Sequence, residues 1–597
     1  MKEEIKNRLQ ALRDAMRQEH IDAYIIPSSD HHLSEYTPDC WKDREWISGF
    51  NGSAGTAVVA LDEAGLWTDS RYFLQGAEQL EGTTIILRKD GLAETPSISD
   101  YLRKKGGIKR VGFFEKSMST REALAYKKAL ETAGIEVVTD KDLVAIARKD
   151  APKIPRNPFF VMPLEYAGER TVDKVKRVRE ALANKGANTV IVNMLCELAW
   201  LFNIRSNDVA YNPVGIGYGL ITKDSVNIYA FAEKLPMETQ KHLEENGVTI
   251  KPYEAIYADV ATLPQDTVLS FDPQRNNYAF YRAIPSGITV VEQLSPITLL
   301  KAVKNETEYR GYVDVMRRDG AALTRFFIWL EGALANGERP TEYEIGVKLS
   351  SFRAVDKNYV NDSFATIAGF KGHGAIVHYS ATPESSYKLE PNGMFLLDSG
   401  GQYFDGTTDI TRTVSLGGKP SEEEKGDYTR VLKGHIQLAM AIYPEGTRGS
   451  QLDILARKAL WDNSQNYGHG TGHGIGYFLN VHEGPQSIRM DENPTVLQVG
   501  MVTSNEPGIY IAGKYGIRIE NLVRTIPYSE TDFGKFLTFE TLTLCYLDNN
   551  LVEVSLLTDK ELNWYNDYQA RVYREVSPLL SIEEAAWLKE KTAPLSK

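Results

Sequence analysis

Cysteine is scarce: Cys40, Cys196 and Cys545 are all there are in 597 residues. Their number and scatter exclude a disulfide framework, and the lack of any Cys-x-x-Cys pair removes a thiolate zinc site. An odd, sparse count fits a reducing compartment. Long apolar runs are missing too, none approaching the roughly 18 residues of a membrane span. The opening "MKEEIKNRLQALRDAMRQEH" is charged throughout and has neither the apolar core nor the cleavage site of a secretory signal. A cytoplasmic location is therefore expected. Positive charge is in deficit: the net charge is -12, with 42% hydrophobic and 25% charged residues. That describes a globular chain without the basic surface that nucleic-acid binding needs. Histidine is the last shortage, ten in all, yet His469, His473 and His482 fall together in "YGHGTGHGIGYFLNVHEGP", Tyr467 to Pro485.

The length suggests roughly three to four domains. Helical and strand-like runs alternate over the first 190 or so residues, the mark of an α/β region. A helix from Ile5 to Gln18, with Leu9, Leu12 and Met16 on one face, leads into "IDAYIIP". The pattern recurs: "RLQALRDAMRQEHIDAYII" resembles "KVKRVREALANKGANTVIV", and "EWISGF" is loosely matched by "AWLFNI". A duplicated domain is expected, with the proline-rich "RKDAPKIPRNPFFVMP" as linker. A second boundary falls at "LSPITLL", before long helical readings over Glu306–Ala335 and Thr341–Asp356 and a series of short glycine-bounded strands. The tail after Leu547 is helical and rich in Trp and Tyr, which face either a partner subunit or its own domain.

In "GMFLLDSGGQYFDGTTDITRTVSLG" an apolar strand ends at Asp398, and a turn leads to "TTDITRTV". Its period of two puts Asp409, Thr411 and Thr413 on one face and Ile410, Arg412 and Val414 on the other. Asp398 and Asp409 are thus expected to face each other on neighbouring strands, although a single aspartate here is more often just a turn residue. Further on, Glu506 ends another apolar strand at Pro507-Gly508, and Glu520 shares a face with Arg518, with which it can form a salt bridge. Four carboxylates held close would raise one another's pKa unless cations sat between them. Two divalent ions balance four such charges. With one imidazole added, the donor set suits Mn, Co, Fe or Zn rather than copper. Two metals about 3.5–4 Å apart can generate hydroxide and polarise a carbonyl.

The motifs "DGTTDITR", "HGTGHGIG", "NVHEGP", "SNEPG" and "GIRIEN", in that order, resemble those of the pita-bread metallopeptidases, and most closely the long cytosolic form of the aminopeptidase P (X-prolyl aminopeptidase) family. "DHHLSEY", "ISGFNGSAGTAVV", "WTDSRYFLQ" and "AWLFNIRSNDVAYNPV" extend the likeness into the first half of the chain. The resemblance implies an α/β multi-domain architecture. Residues 1–155 and 156–297 would form two related creatinase-type α/β domains, 298–547 a pita-bread (α+β) catalytic domain, and 548–597 a helical extension. It implies an Xaa-Pro aminopeptidase, in which a hydroxide bridging two metal ions, usually Mn2+ with Co2+ or Zn2+ as alternatives, attacks the carbonyl before proline. The metal ligands would be Asp398, Asp409, His473, Glu506 and Glu520, with Asp409 and Glu520 shared by both ions. Glu506 would handle the proton, with His378, His469 and His482 as the other catalytic residues. Arg71, His378, His473, His482 and Arg518 would contact substrate, and the chain would be a homodimer. Prolidase and a peptide-binding pseudoenzyme are the competing readings. His31, His32 and His373 read as ordinary surface or turn residues, and "GSAGTA" at Gly52 as a tight turn.

Overall fold

The structure, a computed structural model, describes residues 2–597. Two compact units divide it. One runs to Pro163 and resumes over Glu169–Leu300; the other comprises Leu164–Gly168 and Lys301–Lys597.

The first unit holds two six-stranded sheets. In one, the central strand Ala23–Pro27 pairs antiparallel with Thr56–Ala60 and parallel with Arg110–Gly112. Ala64–Thr68 and Ile85–Lys89 extend one side, and Glu136–Val138 the other. The second sheet repeats this order and these directions around Thr189–Val192. Tyr218–Ile221, Val226–Ala230 and Thr249–Pro252 lie on one side, and Val268–Phe271 and Thr289–Glu292 on the other. Each central strand follows an amphipathic helix, Lys2–Gln18 or Thr171–Asn184, whose apolar face is buried: Ile5, Leu9, Leu12 and Met16 in one, Val175, Val178 and Leu182 in the other. The fragments "EWISGF" and "AWLFNI" run off the ends of corresponding helices, Asp43–Ser48 and Leu195–Leu201. The internal repeat is therefore a repeat of topology.

His32 departs from the surface reading. It is fully buried, its Nδ1 at 2.9 Å from the carbonyl oxygen of Asn193 and its Nε2 at 3.0 Å from the Tyr253 hydroxyl. Both partners are distant in sequence, so no local pattern marks the residue as internal. Burial pushes its pKa down to about 3, which keeps the ring neutral.

The second unit starts from the long helix Glu306–Ala335, opened by an Asn305–Glu308 capping box. Phe326, Phe327 and Leu330 on its inner face meet the strands Met394–Ser399 and Ile410–Ser415 and the helix Glu422–Ala439 in one core. The two strands and Ile367–Phe370 form a three-stranded antiparallel sheet. A six-stranded sheet runs Ile442–Pro444, Gly534–Thr541, Asn521–Thr531, Val502–Asn505, Gly472–Gly474, Glu483–Ile488. The hairpin Gly508–Ile511/Tyr515–Arg518 falls between two strands of the six-stranded sheet in sequence, and its second strand packs against Met394–Ser399 and Ile410–Ser415. The tail packs into this same core through Leu562, Tyr565, Tyr568, Val572 and Leu588. Trp564 stacks flat on Tyr568, at 5.4 Å between ring centroids. The aromatics of the tail thus serve their own unit.

Candidate metal centre

The strand Met394–Ser399 is buried along its whole length, and its register sets Asp398 opposite Thr411 and Ile367. The partner strand is shorter than its sequence pattern predicts. It begins at Ile410, while Gly406–Thr407 pairs separately with Gly401–Tyr403. Asp409 therefore sits at a break, not across from Asp398. Gly400 permits the break: a Cβ there would lie 2.0 Å from the carbonyl oxygen of Thr408. The alternation beyond it holds. Thr411 Oγ donates to Glu520 Oε2 at 2.8 Å, and the Thr413 hydroxyl lies 3.1 Å from both the carbonyl oxygen and the amide nitrogen of Arg518. On the opposite face, Arg412 is fully buried and donates to Glu520 O, Tyr546 O and Cys545 O.

His473 lies in the short strand Gly472–Gly474, where glycine is required for close passage: a Cβ at Gly472 would fall 2.0 Å from the Ser504 carbonyl oxygen. Its amide donates to Ser504 Oγ and its Nδ1 lies 2.9 Å from the Gly474 carbonyl oxygen. Its Nε2 then stands 3.4 Å from Glu506 Oε1 and 3.6 Å from Asp409 Oδ2. Ser504 Oγ also donates to Glu506 Oε1 at 3.0 Å. Ligand atoms of Asp409, His473 and Glu520 all lie within 4.8 Å of one another.

Arg518 does not pair with Glu520 as the shared strand face suggested. Its Nη2 donates to Asp398 Oδ2 at 2.7 Å and its Nη1 to the Tyr510 hydroxyl at 2.7 Å, because the strand ends at Arg518 and Glu520 turns to Thr411. The other Asp398 oxygen, Oδ1, is buried with no hydrogen-bond partner among the described residues. Burial raises the carboxyls of Asp409 and Glu520 far above the usual carboxylate range; Asp398 and Glu506 raise Asp409 further, and Asp409 adds to the rise of Glu520. Burial brings Glu506 up to about 7, with Arg518 opposing the rise and Asp398 adding to it. An orphaned carboxylate oxygen, mutually repelling carboxylates and a facing imidazole Nε2 together make a hard, oxygen-rich donor set of the kind divalent cations fill.

The other expected histidines belong to the second unit, close to this centre. The ring of His482 packs edge-on against His473, centroids 4.4 Å apart. His469 Nε2 lies 2.7 Å from the Tyr510 hydroxyl. His378 follows Val377, whose carbonyl oxygen is 3.4 Å from Arg518 Nη2. Arg71 belongs to the first unit, its guanidinium paired with Asp69. Tyr510 is the residue that sequence reasoning missed. It shares a hairpin face with Gly516 and Arg518, and its hydroxyl joins His469 to Arg518.

Comparison with known proteins gives the same order of parts. Residues 8–148 and 150–308 match the creatinase/prolidase N-terminal domain, 311–526 metallopeptidase family M24, and 535–595 the C-terminal region of peptidase M24. A probable Xaa-Pro aminopeptidase P of Coprinopsis cinerea is 40% identical over 612 residues, covering 98% of each chain. The chain belongs to the Xaa-Pro aminopeptidase P family. Aminopeptidase P2 of Arabidopsis thaliana, another member, is 40% identical, covering 97% of this chain and 86% of its own. The crystal structure of the X-prolyl aminopeptidase of Caenorhabditis elegans, described as a cytosolic enzyme with a di-nuclear active site, aligns with a TM-score of 0.94 at 36% identity, covering 99% of this chain and all of that one (100%). The architecture is that of the family: two creatinase-type N-terminal domains and a pita-bread catalytic domain.

Proposed function

We propose that the chain is a metal-dependent Xaa-Pro aminopeptidase that removes the N-terminal residue from peptides with proline in second position. The observation that carries this reading is the excess of carboxylate at buried Asp398, Asp409 and Glu520 and half-buried Glu506, in a chain whose relatives are named for that activity. Asp409 and Glu520 would be shared by two divalent cations, with Asp398 on one and His473 and Glu506 on the other. Mn2+ is the favoured ion, with Co2+ and Zn2+ as alternatives. Bound there, such ions supply Lewis acidity and a water-derived nucleophile at neutral pH.

The protein's own groups do the rest. Thr411 and Ser504 each fix one carboxylate oxygen, of Glu520 and Glu506 respectively, and would leave the remaining lone pairs to hold the ions. Glu506 takes and returns the proton of the hydrolysis, a role worth about 10²–10⁴ in rate. His378 and His482 hold the peptide and the charge that develops at its carbonyl. His469 acts beside them, oriented through Tyr510. Arg71 and Arg518 are assigned to substrate contact, Arg518 at its Asp398-paired guanidinium. We further assign the chain to the cytoplasm and to a homodimer, and divide it at residues 155, 297 and 547.

Purified protein should lose activity on Arg-Pro-Pro after chelation and regain it with Mn2+, Co2+ or Zn2+, with about two ions bound per chain. Activity confined to Xaa-Pro dipeptides would make it a prolidase. Neither metal nor hydrolysis would make it a binding protein.

A further inference from the structure

His373, read from sequence as an ordinary turn residue, lies in the connection between the strands Ile367–Phe370 and Met394–Ser399 that carries His378. It is not alone there. Glu342, the first residue of the helix Glu342–Arg353, is 1% exposed, and its carboxylate gathers groups from this connection and from Phe370, the strand residue just before it. Oε1 accepts from the amide of Phe370 at 2.7 Å. Oε2 accepts from the amide of Tyr387 at 2.7 Å and the hydroxyl of Tyr379 at 3.0 Å, and lies 2.8 Å from His373 Nδ1. The imidazole is stacked on both tyrosine rings, with centroids 4.4 Å from Tyr379 and 3.5 Å from Tyr387.

The segment is also seated from the other side. Gly374 meets Gly516 backbone to backbone, so closely that a Cβ on Gly516 would lie 1.7 Å from the Gly374 carbonyl oxygen. Arg518, which holds Asp398, also reaches the carbonyl oxygen of Val377. The connection that carries His378 thus has two anchorages. One is the strand that serves the carboxylate cluster, and the other is a single buried carboxylate.

We propose that Glu342 and His373 form a positioning clamp that fixes the approach of His378 to the substrate; this rests on the substrate-holding role given to His378 above. Burying a carboxylate is costly unless every lone pair is used. Here all four donors come from residues 370–387, on both sides of His378. The Glu342 carboxylate thus ties this connection, from the last residue of the strand Ile367–Phe370 to Tyr387, to the start of the helix Glu342–Arg353. His373 and its two tyrosines fill the space beneath it, which limits the conformations the connection can take. Neither Glu342 nor His373 is a catalytic residue; both act through His378.

The test is a double-mutant cycle on the metal-loaded enzyme with an Xaa-Pro tripeptide, crossing Glu342→Gln with His378→Ala. Glu342→Gln alone should lower kcat/KM about tenfold or more, with metal content unchanged, and amide hydrogen exchange should speed up over residues 370–388 only. In the His378→Ala background the same change should cost less than about twofold, because the side chain it positions is gone. Equal losses in both backgrounds, or no loss in the first, overturn the clamp. Should Glu342→Gln not fold, Tyr379→Phe takes its place in the cycle, with a loss of about threefold expected and the same non-additivity. If His378→Ala itself keeps wild-type activity, the role of His378 falls first, and the clamp with it.

Discussion

Around Glu483 the second unit buries one carboxylate between two ammonium groups, those of Lys301 and Lys304, all three side chains at 3% exposure or less. Around Asp409 it gathers four carboxylates, three of them buried and that of Glu506 half-buried, against a single guanidinium, that of Arg518, which is taken by Asp398. Both places are interior and both are charged. Only in the first does the chain itself supply enough opposite charge for its carboxylate, as it does in the buried pairs Asp319–Arg353 and Asp453–Arg457. The carboxyls of Asp409 and Glu520 are raised far above the usual range, the response of charges whose partners the chain does not supply. A buried acid is thus structural or functional according to local charge balance, and residue type alone does not distinguish the two.

The largest expected effect breaks the unbalanced side. Asp409→Ala or Glu520→Ala should abolish peptide hydrolysis and lower the bound metal below two ions per chain, as measured by elemental analysis after gel filtration. Substantial residual turnover would show that neither residue is shared between ions. A second pair of variants sets the two regions directly against each other in metal-free protein. Glu483→Gln leaves two buried lysines short of their anion and should cost about 3–5 kcal/mol in denaturant unfolding. Asp409→Asn should do the reverse and stabilise the metal-free protein, since it removes a carboxyl that burial and neighbouring acids disfavour. The sign follows from linkage: a carboxyl whose folded pKa is raised contributes stability below its unfolded pKa and loses it as pH rises. The gain from Asn should therefore be greatest at neutral pH and fade toward the ordinary carboxylate range. Equal signs for the two variants would dissolve the contrast.

Much of this was legible before the structure. The period of two around Asp409 correctly separated Thr411 and Thr413 from Arg412, because alternation on a buried strand is a local property. The repeated helix-strand unit predicted two related domains, and the two sheets share one topology. What was not legible depends on contacts between distant segments. Arg518 chose Asp398 over its neighbour Glu520, Tyr510 found both His469 and Arg518, and Glu342 reached four groups up to 45 residues away. The break before Ile410 is not legible in its own segment, because the Gly400 approach that allows it lies between the strands Met394–Ser399 and Gly401–Tyr403.

A smaller effect sharpens the comparison at the level of support. Thr411 and Ser504 do not belong to the donor set, yet each orients one of its carboxylates. Thr411→Val and Ser504→Ala should each weaken metal binding or lower activity by about 10–100-fold without abolishing either. Titrating metal back into stripped protein gives the affinity. Loss on the scale of Asp409→Ala would place these hydroxyls among the ligands.

The smallest effect belongs to the first unit, where burial is tolerated by a third means: the group gives up its charge. His32 is held neutral by burial, with its pKa at about 3, between the Asn193 carbonyl oxygen and the Tyr253 hydroxyl. A base whose folded pKa lies below its unfolded value, about 6.5, contributes stability above that value and loses it as pH falls. By pH 5.5 the loss from this one ring should be about 1.4 kcal/mol, growing by a similar amount for each further pH unit down to the folded pKa. Denaturant unfolding monitored in the first unit from pH 8 to 5 should show this slope in the wild type and a shallower one in His32→Gln. The slope is the informative quantity, since the substitution also changes packing and shifts the absolute stability. Identical slopes would mean that His32 takes up a proton in the folded state, and that the first unit tolerates buried charge after all.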